Sequence, residues 1–87
     1  MKLIMCRECH DVIKLIHEER ACRCGKSSGK YINRIVVEIQ GPCVPIGIDN
    51  HSMTSAIQET HQDLMAVIGK ELTAFVIPFL SPHVKRR

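Results

Sequence analysis

Short apolar segments separated by polar turns dominate the first half of the chain. Residues 2–5 and 12–16 have the apolar or alternating pattern of short strands. The β-branched run at 35–39 is the clearest strand signal. After a Gly-Pro turn, residues 44–48 form another short apolar segment, which Pro45 should confine to a sheet edge or a bulge because proline has no N–H to donate. The pattern predicts that these last two strands form a hairpin.

The second half of the chain begins with a helix signal. Residues 49–52 supply N-cap chemistry, and we expect a helix over residues 52–61 that continues toward residue 68, with Gly69 as its stop. The apolar positions at helical spacing are Met53, Ala56, Ile57, Leu64, Val67 and Ile68. We expect an apolar helix surface that packs on a sheet or, alternatively, contacts a partner protein or a second copy. Its residues are Met53, Ile57, Leu64 and Met65.

The end of the chain predicts one more strand. Residues 72–77 are apolar enough to lie inside a sheet, and Pro78 and Pro82 end that segment. The basic residues 81–87 should form a frayed tail. The longest apolar run, residues 74–80, is far shorter than the roughly 18 residues of a membrane span. We therefore expect a soluble protein.

Two close pairs of cysteines flank a predicted turn. Two residues separate Cys6 from Cys9, and one separates Cys22 from Cys24, which Gly25 follows in a position suited to left-handed backbone. Four thiols in two pairs, about one β-hairpin apart, are typical of a tetrahedral four-cysteine zinc site. Between the pairs, residues 12–16 would lead away from the metal and residues 21–24 would return, which makes a zinc-ribbon hairpin.

A bound metal would also compensate for the small apolar core of a chain of this length. A chain of 87 residues buries only about 60 to 65% of its unfolded surface, so its core alone is marginal. Structural zinc supplies on the order of 10 kcal/mol of apparent binding free energy, which becomes folding free energy. The sequence thus predicts one α+β domain over residues 1–87, a zinc-ribbon hairpin joined to a small, mostly antiparallel sheet with one helix. Its parts are a zinc-ribbon half (1–34), a strand–strand–helix–strand half (35–80) and the basic tail (81–87).

The cysteine count also bears on the compartment. Five cysteines are an odd number, and the charged start of the chain lacks a signal-peptide pattern, so we expect reduced thiols and a cytoplasmic location. Cys43 lies far from both pairs in the sequence and is predicted to be a small buried hydrophobe. The alternative, a reactive nucleophile, would need a partner such as His51 or His61 beside it.

Charge is distributed unevenly along the chain. Residues 1–34 carry eight Lys/Arg against four acids, a net +4, whereas the remainder carries four against five. The loop at residues 25–30 misses the spacing of a nucleotide-binding P-loop, and only Tyr31 is nearby for base stacking. The candidate contacts to phosphate or to an acidic partner are Arg7, Arg20, Arg23, Lys26, Lys30 and Arg34.

Five motifs span nearly the whole chain: Cys-x-x-Cys at 6–9, Cys-x-Cys-Gly-x-Ser-x-Gly-x-Tyr at 22–31, Gly-Pro at 41–42, Ile-Gly-Ile-Asp-Asn-x-Ser at 46–52 and Glu-Leu-Thr-Ala-Phe-Val-Ile-Pro at 71–78. Together they resemble a family of small zinc-ribbon proteins of unknown function from bacteria and their phages. The resemblance implies a cytoplasmic protein of such an origin, with the metal on the four paired cysteines and no settled activity. Small phage proteins often act as inhibitors or adaptors of host proteins, so the resemblance implies such a role by analogy with that class of proteins.

Several alternatives follow from the same residues. His10 or His17 would replace a ligand if one cysteine of the second pair does not bind the metal, and four thiolates also suit an iron–sulfur cluster. The sequence favours a non-enzymatic protein that binds another protein, one such role being inhibition of a host antiviral-defence complex. The alternative is a nucleic-acid-binding module that uses the basic loop residues. A metal-dependent hydrolase would need an open metal site with a ligand such as His10.

Overall fold

The computed structural model describes all residues from Met1 to Arg87 as two four-stranded sheets and one helix. This confirms the α+β class. In chain order the elements are β1 (Lys2–Cys6), β2 (Val12–Lys14), β3 (Arg20–Ala21), β4 (Ser28–Tyr31), β5 (Val37–Gln40), β6 (Cys43–Ile48), α1 (Asn50–Gln62), β7 (Ala74–Val76) and β8 (Val84–Arg86).

The first sheet has the strand order β2-β1-β6-β7 and the second has the order β3-β4-β5-β8. Every pair is antiparallel except β5 with β8, which is parallel. Each sheet takes strands from both the first and the second half of the sequence. The first cysteine pair spans the end of β1 and the β1–β2 loop, and the second pair lies in the β3–β4 loop.

One apolar core lies between the sheets. Apolar side chains of this size each contribute about 1.5 to 3 kcal/mol when fully buried. Tyr31 and Val84 pack against the same cluster, and the Tyr31 hydroxyl accepts a hydrogen bond of 3.1 Å from the Lys2 N–H. The buried cluster consists of Ile4, Ile13 and Cys43 from the first sheet, Val37 and Ile39 from the second, and Leu15 from the loop after β2.

The strand pairing differs from the two hairpins predicted from the sequence. The outgoing strand β2 and the returning strand β3 lie in different sheets, and so do β5 and β6. Gly41, between β5 and β6, has φ of +93°, and a Cβ there would collide with the Lys26 carbonyl oxygen. The turn is therefore pressed against the second cysteine loop and leads the chain across to β1, where β6 pairs instead.

Pro45 lies inside the first sheet, on β6 between β1 and β7, so the prediction of an edge or bulge is wrong. Its carbonyl accepts a hydrogen bond from the Ile77 N–H at 2.9 Å. In an antiparallel ladder the N–H and C=O of one residue point the same way. The N–H that proline lacks would face the Ile77 carbonyl, so this pair keeps only one of its two ladder bonds, and β7 has already ended at Val76.

The loop predicted over residues 26–30 is partly a strand. β4 already starts at Ser28, because its backbone pairs with Gln40 of β5 and with Ala21 of β3. Gly29 occupies the crowded centre of this sheet, where a Cβ would lie 2.9 Å from the Glu38 carbonyl oxygen. A flexible-looking glycine and serine segment is therefore a buried strand for a steric reason.

The helix α1 begins at Asn50, two residues before the predicted start, and ends at Gln62, short of the predicted continuation toward residue 68. The Asp49 side chain caps it by accepting a hydrogen bond of 3.3 Å from the Ser52 N–H. The helix ends at Gln62, with Asp63 as its C-cap, within the polar residues 58–63, which offer no apolar face for packing. Ala56 is the only buried residue of the helix, so the expected packing on a sheet is slight. No helix in this chain has the length and apolar character needed to cross a membrane.

The last two strands also differ from expectation. β7 covers only Ala74–Val76 and is an exposed edge strand rather than an interior one, because nothing pairs with its second edge. The basic tail is not frayed, because β8 pairs with β5. Arg87 then makes ion pairs with Glu19 at 2.8 Å and Glu38 at 3.1 Å. The tail thereby closes one side of the second sheet.

Candidate metal centre

The first cysteine pair spans the end of β1, where Cys6 lies, and the tight loop of the β1–β2 hairpin, where Cys9 lies. The Cys6 N–H donates to the Asp11 carbonyl at 2.9 Å, and the His10 N–H donates to the Cys6 carbonyl at 2.9 Å. His10 takes a left-handed conformation, with φ of 61°, to complete the turn. The Ser27 hydroxyl and, after it, the backbone N–H groups of Cys9 and Glu8 lower the pKa of the Cys6 thiol. Backbone groups of this tight turn therefore support the first sulfur of the pair.

The second pair lies in the loop between β3 and β4. The Gly25 N–H donates to the Cys22 carbonyl at 3.0 Å, and Gly25 has φ of 77°, the left-handed conformation expected from the sequence. The Ser27 N–H points at the Cys22 sulfur, 3.4 Å away. A gap of one residue between these cysteines is therefore compatible with the same N–H to sulfur support as the first pair.

The two loops bring all four sulfur atoms together. The Sγ atoms of Cys6, Cys9, Cys22 and Cys24 all lie within 4.8 Å of one another. The Cys6–Cys24 and Cys22–Cys24 Sγ distances are 3.7 Å and 3.4 Å. A zinc ion with Zn–S bonds of about 2.3 Å would place its four sulfurs about 3.8 Å apart. The cluster is thus close enough to hold a metal ion, and no histidine or carboxylate belongs to it.

The thiols of this cluster influence one another strongly. The Ser27 hydroxyl, followed by the backbone donors, lowers the pKa of Cys6 to about 6. For Cys24 the Lys26 N–H acts in the same direction, but loss of solvent and the neighbouring thiols outweigh it and raise the pKa of Cys24 to about 12. Four adjacent sulfurs cannot all ionise without a cation between them. A bound cation would let every thiol lose its proton.

Ser27 is an unusual buried residue beside this cluster. It is 0% exposed, and its Oγ makes no hydrogen bond of good geometry. The hydroxyl nevertheless lies close enough to Cys6 to be the largest influence on the pKa of that thiol. A buried hydroxyl without a partner is costly, whereas a metal-bound thiolate is an acceptor that would satisfy it. The donor set therefore fits a metal ion.

Comparison with known proteins adds no relative to this picture. No family model, curated protein or solved structure matches the chain. The resemblance to the small zinc-ribbon family of bacteria and phages accordingly stays a prediction. The functional assignment depends on the site itself: four cysteines, two supporting loops and a buried serine.

Cys43 lies beside the cysteine cluster, although its position in the sequence does not indicate this proximity. It pairs across the ladder with Cys6, is 4% exposed, and its Sγ lies 3.6 Å from the Gln40 carbonyl. Burial raises the pKa of the Cys43 thiol. These features confirm a small buried hydrophobe, while His51 and His61 are exposed on the helix. Only the β1–β6 register, which is a long-range property, places Cys43 beside the cluster.

The two histidines considered as substitute ligands lie outside the cluster. His10 is exposed in the first loop, and the His17 ring packs 5.8 Å from the Tyr31 ring. Tyr31 ends β4, the strand that leads away from the second cysteine loop. With four cysteines already together, neither histidine is needed to complete a set of four ligands.

The structure separates the six basic candidates into three locations. Arg7, Arg23 and Lys26 are exposed next to the cysteines in the two loops. Lys30 faces Glu38 across the ladder and, with Arg20, lies near the acidic residues that bind Arg87. Arg34 belongs to the β4–β5 turn, at the opposite end of the second sheet. The basic residues therefore do not form one continuous patch.

Proposed function

We propose that this protein is a non-enzymatic, zinc-stabilised domain that acts by binding another protein. The observation that carries the proposal is the cluster of four cysteines, with all ligand atoms within 4.8 Å and all of them sulfur. Four thiolates complete a tetrahedral zinc shell and leave no position for water or substrate. A metal held in this way stabilises a fold and does not perform chemistry. The chain's own part is to hold the thiolates and to support them with backbone donors and Ser27.

Zinc is the metal we propose for this cluster. Sites made only of thiolates select zinc, copper(I) or iron–sulfur clusters. The Sγ distances of 3.4 and 3.7 Å are close to the edge of a zinc tetrahedron, about 3.8 Å. The two loops also meet around a single point rather than around a larger multinuclear cage.

A protein partner is supported by the apolar segment between α1 and β7. Leu64, Met65, Val67 and Ile68 are 80 to 97% exposed. Four large apolar side chains close together in sequence and this exposed are typical of a surface that a partner covers. Following the resemblance stated above, we propose that the partner is a host protein in a phage-infected or bacterial cell, with inhibition of an antiviral-defence complex as the specific role.

Nucleic-acid binding is the second candidate. It is supported by the three exposed basic residues in the cysteine loops, Arg7, Arg23 and Lys26, which lie on the side of the metal cluster that faces solvent. Such residues would contact phosphates and would make binding weaken steeply with salt. The dispersal of Arg20, Lys30 and Arg34 to other locations limits this candidate to a small contact area.

The test combines metal analysis with partner capture. Tagged protein is purified, its zinc and iron are counted per chain, and cobalt is substituted to read thiolate charge-transfer absorption. One zinc per chain and a four-thiolate cobalt spectrum support the site, whereas iron or no metal contradicts it. Capture from host lysate is then run with and without nuclease, in competition with excess untagged protein.

Matched variants decide between the two partners. Arg23→Glu reverses a charge beside the cysteines, and Arg34→Glu makes the same change at the far end of the second sheet. A partner that survives nuclease, binds both variants and is lost on Leu64→Ser with Val67→Ser supports the protein-binding proposal. Loss of binding after nuclease or in Arg23→Glu alone contradicts it and favours nucleic acid.

A further inference from the structure

β7 presents an open edge of the first sheet to solvent. It pairs with β6 on one side only. The Asp49 N–H donates to the Thr73 carbonyl, and the Ile77 N–H donates to the Pro45 carbonyl, both at 2.9 Å. Because backbone groups alternate in direction along an antiparallel strand, the N–H and C=O groups of the residues between, Ala74 and Val76, face the open edge.

This edge differs from the other three sheet edges of the molecule. β2 carries Lys14, β3 carries Arg20, and β8 carries Lys85 and Arg86. Charged side chains of this kind, lysine above all, keep edge strands from pairing with other chains. β7 has the sequence Ala-Phe-Val, and no charged residue occurs from residue 72 to residue 80. β7 is thus the one edge in this protein without that protection.

An apolar surface surrounds the same edge, and we name it the β7 surface. Its side chains are 42 to 88% exposed, and large exposed apolar patches mark sites of interaction with other proteins. Its members are Leu72, Phe75, Val76, Phe79 and Leu80.

We infer that β7 pairs with β7 of a second copy of this chain, which joins the two first sheets into one continuous antiparallel sheet. A two-fold axis at Phe75 would set Ala74 of each copy opposite Val76 of the other. These are the residues whose backbone groups face the open edge, so the ladder bonds would form between them.

Two features of the molecule favour a second copy as the occupant. The strand β7 carries no charge, so two copies of it meet without like-charge repulsion, and the Arg86 guanidinium that lies 5.3 Å from the centre of the Phe79 ring belongs to β8 of the second sheet. The Phe75 ring lies over Gly47 of β6, where a Cβ would be only 2.5 Å from the ring. Glycine there lets the ring lie close against the sheet instead of covering the edge. The paired segment between the two copies would be short, because Pro78 ends the apolar strand segment.

The test measures the molar mass of the full zinc-loaded chain by sedimentation equilibrium over a wide concentration range. We expect a monomer–dimer equilibrium, and Val76→Lys should raise its dissociation constant by about 100-fold, because the two lysines would lie diagonally across the axis on the same face of the joined sheet and repel each other. Val67→Lys is the matched control, since Val67 is exposed and lies outside the β7 surface. It should leave the dimer unchanged.

Each outcome of this test is decisive. A monomer at all concentrations, or a dimer that Val76→Lys leaves intact, overturns the inference. Should Val76→Lys fail to fold, amide hydrogen exchange on the unmodified chain replaces it. Protection of the Ala74 and Val76 amides that rises with protein concentration supports the pairing, whereas protection that is independent of concentration contradicts it. The proposed zinc role is separate, because it predicts the same metal content in monomer and dimer.

Discussion

Cys43 on β6 lies directly opposite Cys6 on β1, with both side chains buried. The Cys6 N–H turns toward Asp11 of the hairpin loop, whereas the next N–H, that of Arg7, turns toward Pro42. Cys6 and Cys43 are therefore a non-hydrogen-bonded pair, the kind in which facing side chains approach most closely. A single cross-strand contact thus joins the metal cluster to the apolar core, because Cys6 belongs to the first and Cys43 to the second.

Mutations can therefore distinguish a cysteine that binds the metal from a cysteine that belongs to the apolar core. Cys9→Ser removes one of the four sulfurs, so we expect loss of bound metal and a sharp fall in the melting temperature, since metal binding is coupled to folding. Thermal melting and metal content on the same preparation check this. A variant that keeps both the metal and the wild-type melting temperature would refute the metal centre.

Cys43→Ala should behave differently, although its sulfur is close to the cluster. It removes a small buried group from the core, so we expect a loss of about 1 to 2 kcal/mol in the free energy of unfolding and an unchanged metal content. Denaturant unfolding and metal analysis measure the two quantities. Metal loss in this variant would mean that Cys43 is itself a ligand.

Ser27→Ala tests the support of the thiolates by the buried hydroxyl. Outer-shell partners of metal ligands typically change metal affinity by 10- to 100-fold, and we expect a decrease of about 10-fold here. Competition with a chromophoric chelator measures it. Ser28→Ala is the control, because the Ser28 Oγ accepts a hydrogen bond from the Gln40 side chain at 2.9 Å. Equal affinities in the two variants would remove the proposed role of Ser27.

Three glycine-to-alanine variants should form a graded series. Gly69 has neither positive φ nor a neighbour within 4 Å of a Cβ, so Gly69→Ala should be neutral. Gly25 has positive φ but open space, so its strain alone should cost about 1 to 2 kcal/mol. Gly41 combines positive φ with a collision against Lys26, and Gly41→Ala should cost more than either. Chemical denaturation ranks them, and any other order contradicts the turn geometry.

The ion pairs of Arg87 predict a pH-dependent contribution to stability. The Arg87 guanidinium, through its hydrogen bonds, lowers the pKa of Glu19 from its ordinary value of 4.5. A lowered carboxyl pKa stabilises the fold above the ordinary value and ceases to do so as the pH falls through the lowered one. At neutral pH Arg87→Gln should cost about 0.5 to 1 kcal/mol, as for partly exposed pairs.

The measurement is the stability difference between wild type and Arg87→Gln as the pH is lowered. It should shrink below pH 4.5, where protonation of Glu19 begins to remove the pair. Lys85→Gln is the control, because Lys85 lies in β8 two residues before Arg87, and the ion pairs of this molecule involve only Arg87 among its bases. A difference that does not vary with pH would contradict the assigned cause.

Local features of this protein follow from the sequence alone. Gly25 has the left-handed backbone expected of it after the second cysteine pair. Asp49 caps the helix as its side chain predicts. These features involve residues only a few positions apart, so the chemistry of the side chains and the short reach of the backbone are sufficient to determine them.

The partners of each strand were decided only in the tertiary structure. No residue near Gly41 in the sequence indicates that the chain crosses to the other sheet. No residue near Cys43 indicates that Cys6 is its neighbour across the strands. The same holds for the tail, which pairs in parallel with β5 and whose last residue, Arg87, makes ion pairs with the distant Glu19 and Glu38. The apolar pattern of a short strand specifies which face is buried but not which strand lies beside it. That choice depends on how two sheets share one core, and on the steric contact that only the folded chain creates.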